Sequence, residues 1–217
     1  MDALVRLHLA AHGLLTTVDD TLARCGAPAE HAIWRLLRKG GLLPGDAIAG
    51  AVSWAPQAFT HRADLLRQQH SQQADLSVSL AASAGWEGEA AAAFHARLAV
   101  ARRDLTVAAE SSLAMAGCFD ELAAWLVGAR LRLAHKLAAT LSSAEAVTLK
   151  LGIVAGLPSQ TVQASAAAEI GVVLLSEVDL FWEGGLEISE RWEARLEAAV
   201  ALEAPAVQAS ATLHVDY

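Results

Sequence analysis

The sequence of 217 residues is poor in the residues that build sheets and disulfide scaffolds. Aromatic residues make up 5% of the chain, and there are 5 prolines and 2 cysteines. Strands prefer β-branched and aromatic residues, whereas Ala and Leu, which number 49 and 33 here, lead the helix scale. The composition therefore excludes an all-β or collagen-like protein and predicts an all-α fold. Because 54% of the residues are hydrophobic, we do not expect disorder.

Basic side chains are too few to form a stripe along the chain. Residues 1–140 carry 13 basic and 13 acidic side chains, whereas residues 141–217 carry 3 and 11, so the net charge of -8 lies wholly in the last third. Nucleic-acid binding and binding to anionic membranes both need clustered Lys and Arg. We therefore expect no nucleic-acid partner.

Long charge-free apolar runs are also absent. The apolar stretch 4–15 is interrupted by His8 and His12 and begins beside Asp2 rather than a basic cluster, so a Sec signal is not expected. The apolar region 147–175 is interrupted by Lys150, Pro158, Gln160, Gln163 and Glu169, so we do not expect it to span a bilayer. The sequence predicts a soluble chain with no transmembrane segment.

Residue patterns typical of catalysis or metal binding are missing from the sequence. It has no Glu-x-x-His, no Gly-x-Ser-x-Gly and no Cys-x-x-Cys. His8 and His12 have the spacing of two metal ligands on a helix, but no nearby acidic residue repeats it, so we interpret them as solvated or core histidines. Cys25 and Cys118 are either two buried thiols or one bridge. We expect no enzyme activity, no metal and no cofactor.

A heptad repeat of apolar residues is the strongest signal in the sequence. Alternate steps of four and three residues give twelve positions, eleven of them apolar, and we call this set the α5 seam: Phe94, Leu98, Ala101, Leu105, Ala108, Ser112, Met115, Phe119, Leu122, Leu126, Ala129 and Leu133. This spacing is typical of a long helix packed along another long helix. A helix from about Glu89 to about Thr140 would be roughly 75 Å long, at about 1.5 Å per residue. We therefore predict an elongated helical hairpin or four-helix bundle.

A second long helix is predicted before it, over about 57–84. Its seam has leucines at 66, 76 and 80 and turns polar at Gln69 and Gln73, and polar seam residues can fix register at some cost in stability. Between the two helices lies Gly85-Trp86-Glu87-Gly88, whose glycines supply the freedom that a chain reversal needs. The prediction is an antiparallel hairpin with Trp86 at its tip.

Shorter elements are predicted on either side of the hairpin. We expect a helix ending before Gly26, a short helix that starts at Pro28 and ends at Gly40, and a connector over 42–56 with at most a turn or two of helix. After the hairpin, Ser142 with Glu145 matches a capping box, so a helix should start there. The predicted domains are a terminal helical segment with its connector, 1–56, the hairpin, 57–141, and an acidic helical segment, 142–217.

A second Trp-x-Gly occurs at Trp182-Glu183-Gly184, followed by Gly185. We expect it to separate a helix over about 160–180 from a final helix over about 186–203. Two alternatives remain open for this element. It is either the turn of a second helix-WEG-helix unit that pairs with the first in tandem, or an ordinary helix end stopped by the two glycines.

The final helix is predicted to carry an acidic face, formed by Glu183, Glu187, Glu190, Glu193 and Glu197. One interpretation is a solvated face with helix-stabilising pairs four residues apart, such as Glu187 with Arg191. The other is a docking surface for a basic partner.

The segment Ala84-Gly85-Trp86-Glu87-Gly88-Glu89-Ala90-Ala91-Ala92-Ala93-Phe94 resembles the centre of the WXG family, the small helical hairpin proteins exported by type VII (ESX) secretion systems. The resemblance covers roughly residues 57–141. It includes the Trp-x-Gly turn, an Ala-rich start to the second helix and an aromatic residue eight positions after the Trp. It implies a protein that pairs with a second WXG hairpin in a four-helix bundle and passes through the secretion ATPase in the folded state.

Two features depart from the WXG pattern. Family members are about half this length, and one partner of each pair carries a Tyr-x-x-x-Asp/Glu export signal, whereas Tyr217 is the only tyrosine here. Either a partner supplies the signal, or the protein is a relative that is not exported, or the hairpin has been reused.

The predicted function is that of a type VII secretion-associated protein, a substrate or the partner of one, secreted or attached to the cell envelope by a non-Sec route. Its partner would be another helical hairpin or a second copy of the chain, with the secretion ATPase or a chaperone as a further partner. The alternative is a cytoplasmic structural or chaperone-like bundle. Docking is expected at Trp86, Gly88, Trp182 and Gly184, along the seam, or on the acidic face.

Replacing Trp86 tests the predicted turn. One large ring with a single hydrogen-bond donor can cover both helix ends at a tip that has few neighbours, so Trp86→Ala should lower the melting temperature. Circular dichroism melting checks this. Unchanged melting with lost partner binding would assign Trp86 to docking instead.

Overall fold

Residues 2–80, 87–155 and 159–211 are described in the structure, a computed structural model. Every regular element of substantial length in these residues is an α-helix, and they contain no strand, which confirms the predicted all-α class. The helices are α1 (Ala3–Cys25), α2 (Ile33–Gly40), α3 (Pro44–Ser53), α4 (Pro56–Ser79), α5 (Glu89–Leu141), α6 (Ala144–Ala155) and α7 (Gln160–Ala211).

Helix ends follow local capping chemistry. Asp2 caps α1 by accepting a hydrogen bond from the Val5 amide at 2.9 Å, and α1 ends at Gly26, whose φ of 69° is one that glycine adopts at little cost. Gly88 has a φ of 111° immediately before α5 begins. The predicted bounds of α5, about 89 to about 140, agree with the structure.

Three predicted boundaries in the shorter elements are wrong. Helix α2 begins at Ile33 rather than Pro28, and the predicted connector contains the ten-residue helix α3, because Pro44 is placed at the start of a helix, where a missing amide hydrogen costs nothing. Helix α6 is capped by Ser143, whose hydroxyl accepts from the Ala146 amide at 3.2 Å. Ser142, the predicted cap, instead donates to the Ala139 carbonyl.

The predicted break at Trp182-Glu183-Gly184-Gly185 is also wrong. These residues lie inside α7, which is one continuous helix of 52 residues, so there is neither a second helix-WEG-helix unit nor a helix end at this place. The glycines serve packing. A Cβ atom on Gly184 would lie 2.6 Å from Nε1 of Trp125, and one on Gly185 would lie 3.2 Å from the same ring. Trp125 therefore approaches α7 where α7 has no side chains.

The chain divides into two compact units. Unit 1 comprises Met1–Ala55 and Ala124–Gly185, and unit 2 comprises Pro56–Ala123 and Leu186–Tyr217. This division shares the boundary near residue 56 with the sequence-based segments but otherwise differs from them. The difference arises because α5 and α7 are each long enough to contribute to both units.

In unit 1, the N-terminal helices complete a core with the later part of α5, with α6 and with the first half of α7. Helix α1 packs on α3 and α6. Every one of these helices contributes large side chains that are almost fully buried, with α2 and α6 adding one each: Leu4, Val18, Ile33, Pro44, Ile48, Leu126, Leu133, Leu137, Leu149, Leu174 and Phe181. Residues 1–55 therefore belong to this core rather than forming a separate cap.

Alanine substitution at two helical glycines separates packing from helix propensity. Gly184→Ala should lower the free energy of unfolding by about 1–3 kcal/mol, because its Cβ would overlap Trp125, which is itself packed on Phe181. Gly13→Ala on α1 is the matched control, with no atom within 4 Å of the added Cβ, and should raise stability by about 0.5–1 kcal/mol. Urea denaturation measures both, and equal effects would contradict the packing role.

Candidate partner-binding face

Helices α4 and α5 pack against each other in unit 2 through a series of contacts. Phe59 lies against Phe119 with ring centroids 6.0 Å apart, and His70 Nδ1 donates to the Ala109 carbonyl at 2.9 Å. From the first of these contacts to the second, the position on α4 advances from 59 to 70 while its partner on α5 moves back from 119 to 109. The two helices therefore run antiparallel where they touch.

The polar seam of α4 meets a polar position of the α5 seam. Ser112 Oγ lies 3.3 Å from Gln73 Oε1, and Ser112 is buried. The Ser112 hydroxyl also lies 2.9 Å from the Ala108 carbonyl of its own helix, which satisfies it, and the contact with Gln73 adds a preference for the register in which the two groups face each other. Arg67 adds an ion pair with Asp120 on the surface of the same helix pair.

Burial along the α5 seam changes from one end to the other. Leu126, Ala129 and Leu133 at the C-terminal end are at most 2% exposed and belong to unit 1. Met115 and Phe119 are half-buried in unit 2, and Phe94 at the N-terminal end is 44% exposed. Between residues 92 and 104, Leu98 is the one residue that is not classed as exposed.

Other large apolar side chains of α4 and α5 are exposed in unit 2. They are Leu65, Leu76 and Val78 on α4, and Val100 and Leu113 on α5. Scattered exposed apolar residues are ordinary, but here they accompany a heptad seam that the chain itself leaves open. We call the exposed surface of α4 and of residues 89–119 of α5 the α4–α5 face.

A groove with a volume of about 800 Å³ runs along the α4–α5 face. Six of its lining residues are on α4 and two are on α5: Ala58, Phe59, Arg62, Leu65, Leu66, Gln69, Met115 and Phe119. All but Arg62 and Gln69 are apolar. Four of the lining residues, Leu66, Gln69, Met115 and Phe119, were predicted as seam residues, but the heptad pattern does not predict that they line one groove.

Helix α7 is fixed to α5 in unit 2 through Glu121. Its carboxylate accepts from Trp192 Nε1 at 2.7 Å and pairs with Arg191 at 2.7 Å. The Trp192 ring lies against Gly117, and the Arg195 guanidinium stacks over that ring. The predicted pair of Glu187 with Arg191 is therefore replaced by a longer-range pair.

The residues of the predicted acidic face have different surroundings. Glu183 and Asp179 in unit 1 both bind the Lys39 ammonium at 2.7 Å, so Glu183 helps to hold α2 on α7. In unit 2 Glu187, Glu190, Glu193 and Glu197 are exposed. An acidic docking surface formed by these four residues therefore remains a prediction.

The tryptophans of the two Trp-x-Gly elements have separate outcomes. Trp86 lies outside the described residues, while Gly88 is exposed beside the start of α5. Trp182 is half-buried in unit 1, with its ring 5.4 Å from that of Trp54 and 5.3 Å from that of Phe181. Trp182 and Gly184 are therefore packing residues of a helix and not turn residues.

Arg130 forms a buried ionic site in unit 1 that the sequence analysis missed. Its side chain is 5% exposed, its Nε donates to Asp2 Oδ2 at 2.7 Å, and its Nη1 donates to the carbonyls of Val52 and Trp54. Those carbonyls lie at the end of α3, where helix carbonyls lack partners and cations are favoured. An Arg on the apolar side of a heptad helix is the sequence signal that points to such a site.

His8, His12, Cys25 and Cys118 have different surroundings. His8 is half-buried and His12 is exposed, and burial, together with the charge of His12, lowers the pKa of His8. Cys25 is an exposed free thiol and Cys118 a buried one, so they do not form the bridge that was one alternative. Among the described residues, no group of three His, Cys, Asp or Glu side chains is placed to hold a metal ion.

One described helix, α5, is long and apolar enough to cross a membrane when only length and composition are considered, with a window of mean hydropathy 1.2. Core helices of water-soluble proteins meet the same criterion. The expectation of no transmembrane segment remains a prediction.

Comparison with known proteins adds no relative. No protein-family model matches the chain, and no match is found among curated proteins or solved structures.

The Asp2–Arg130 ion pair predicts a pH-dependent stability. Burial opposes ionisation of Asp2, but hydrogen bonds from the Val5 amide and Arg130, with the Arg130 charge, outweigh it and lower the Asp2 pKa. Asp2→Asn keeps a helix cap and removes the charge, so it should cost about 1–2 kcal/mol at neutral pH.

A lowered folded-state pKa gives stabilisation that is complete above the unfolded value of 3.8 and is lost as pH falls through the folded-state pKa. The difference between wild type and Asp2→Asn in urea denaturation should therefore shrink with falling pH. Asp20→Asn, at an exposed acidic position on α1, is the control. A pH-independent difference would contradict this assignment.

Proposed function

We propose that the protein is a WXG-like, type VII secretion-associated protein, a substrate or the partner of one, that works by binding another helical protein on its α4–α5 face. It acts through helix–helix contacts rather than through catalysis. The resemblance around Trp86 supplies the secretion context, and the α4–α5 face supplies the surface.

The observation that carries this proposal is the change in burial along the α5 seam. The same heptad pattern continues from Leu133, which is fully buried, back to Phe94. In its first part Phe94 and Ala101 are exposed, and Leu98 and Leu105 are only half-buried. Apolar heptads stabilise a helix only when a second helix covers them. A pattern that continues where α4 and α7 leave it exposed is typical of a surface that another chain covers.

The size of the α4–α5 face suits a helical partner. Helix α4 has 24 residues and is therefore about 36 Å long, at about 1.5 Å per residue. A partner helix of that length would span about three heptads, enough for a specific pairing. The exposed residues Leu65, Leu76 and Leu113 would be covered by such a partner.

The second candidate is a cytoplasmic structural or chaperone-like bundle. Two observations favour it: these 217 residues contain no Tyr-x-x-x-Asp/Glu signal, and α7 is a continuous helix rather than a second Trp-x-Gly hairpin. It uses the same α4–α5 face but requires no secretion ATPase. Localisation separates the two candidates.

Site-specific photo-crosslinking in the native host tests the interaction. A photo-reactive residue at Val100 or Leu113 should give a covalent adduct with a defined helical protein, because both side chains are exposed on the α4–α5 face. Val173, equally exposed but on α7 in unit 1, is the matched control and should give none. Equal adduct yields at all three positions would refute a specific face.

Cell fractionation in the same strains tests the secretion context. Protein in the culture filtrate that disappears when the secretion ATPase is deleted would support the first candidate. Retention in the cytoplasm of both strains, with adducts still formed at Val100 and Leu113, would select the second.

A further inference from the structure

The groove on the α4–α5 face has the repeat of a helix-binding surface. Its lining positions on α4 include 58, 62, 65 and 69, which are separated by steps of four, three and four, with 59 and 66 one heptad apart. On α5, Met115 and Phe119 are one helical turn apart. Side chains with this spacing form the holes into which the knobs of a facing helix fit.

The dimensions of the groove also suit a helix. The lining positions extend over residues 58–69 of α4, a distance of about 16 Å, or three turns. Phe59 and Phe119 lie at one end, and the polar Gln69 lies at the other. A surface that is apolar at most positions along its length and polar at one end fits an amphipathic helix lying along α4.

Arg62 gives this groove a charge. It lies at the middle of the lining positions of α4, and its guanidinium makes no ion pair or hydrogen bond with any part of the chain that the structure describes. The nearby Arg67, in contrast, pairs with Asp64 and Asp120. A guanidinium beside apolar side chains binds a carboxylate strongly once water is excluded, since charge-assisted hydrogen bonds are stronger there.

From the spacing, the length and the unpaired charge together, we infer that the groove binds an amphipathic helix of a partner protein that presents an Asp or Glu, within its apolar stripe, to Arg62. This inference rests on the proposed function and names the chemistry of the partner. The acidic residue sets the position of the partner helix along α4, because Arg62 carries the one charge among the lining residues that the structure describes.

Selection from a displayed library of amphipathic helices tests the inference. The library keeps an apolar stripe of Leu and Ala and randomises one stripe position among Glu, Gln, Lys and Ala. Helices selected on the full-length chain should be enriched in Glu, and those selected on Arg62→Glu should be enriched in Lys. The best Glu helix and its Gln counterpart are then compared as synthetic peptides by fluorescence anisotropy.

The Glu peptide should bind wild type roughly tenfold more tightly than the Gln peptide, and Arg62→Gln should abolish this difference. Arg62→Lys should keep part of it. Arg97→Gln, an exposed arginine of α5 outside the groove, is the matched control and should leave the difference unchanged. Circular dichroism confirms that each variant is folded.

The possible failures are distinguishable. Helices that bind without a preference for Glu, and that are blocked by the groove-filling Ala58→Trp, would overturn the role of Arg62 and leave the proposed function intact. No enrichment of any helix on the folded chain would overturn both. A helix that binds equally well to Ala58→Trp would show a site elsewhere and would also overturn the inference.

Discussion

The buried guanidinium of Arg130 is the constraint around which unit 1 is organised. A charge that is 5% exposed is strongly destabilising unless its donors are satisfied, and the chain satisfies them from two places far apart in sequence: the carboxylate of Asp2 and the carbonyls at the end of α3. Asp2 is also the cap of α1, so the same carboxylate fixes the start of α1 and the charge of α5. Once these contacts form, α1 and α3 are fixed over the buried end of the α5 seam, and Leu126 and Leu133 are removed from water. The N-terminal helices therefore cover the C-terminal end of a seam that the heptad pattern alone would assign to one long hairpin.

A second constraint comes from glycines that face tryptophans. In unit 1, Trp125 of α5 lies on Gly184 and Gly185 of α7; in unit 2, Trp192 of α7 lies on Gly117 of α5. On each helix a packed glycine is followed eight residues later by a packed tryptophan: Gly117 and Trp125 on α5, and Gly184 and Trp192 on α7. Glycine weakens a helix by about 1 kcal/mol relative to Ala. Here the close contact of a large aromatic ring with the helix backbone offsets that cost. The indole of Trp192 also finds a hydrogen-bond acceptor in Glu121, so its polar atom is satisfied at the contact.

These contacts explain what could and could not be predicted from the sequence. The all-α class and the bounds of α5 could be predicted because they follow from composition and from a heptad repeat. Both can be recognised in the sequence without knowing which residues are in contact. The continuity of α7 could not be predicted in this way. Two adjacent glycines look the same in the sequence whether they form a turn or whether Trp125, distant in the sequence, packs against them within a helix. The repeated spacing of glycine and tryptophan, 117 with 125 and 184 with 192, was the available signal, and it required comparing two helices rather than reading one. Only part of the groove could be predicted. Its lining residues Leu66, Gln69, Met115 and Phe119 belong to predicted seams, whereas Arg62 is not part of a predicted seam.

The difference between the two ends of the α5 seam accounts for the exposed α4–α5 face. At the C-terminal end of the seam, Leu126, Ala129 and Leu133 are at most 2% exposed and belong to the core of unit 1. Where α4 is the main neighbour, a polar contact between Gln73 and Ser112 fixes the register of the two helices while adding little apolar burial. A helix pair of this kind holds its two backbones at a defined spacing and leaves between them a groove that is apolar except at Arg62 and Gln69. Rigid alignment of an uncovered groove reduces the ordering cost of binding a third helix, since the receiving side chains are already placed on two helices. The polar seam and the open groove are therefore parts of one arrangement, in which α4 positions the face and a partner helix completes its burial.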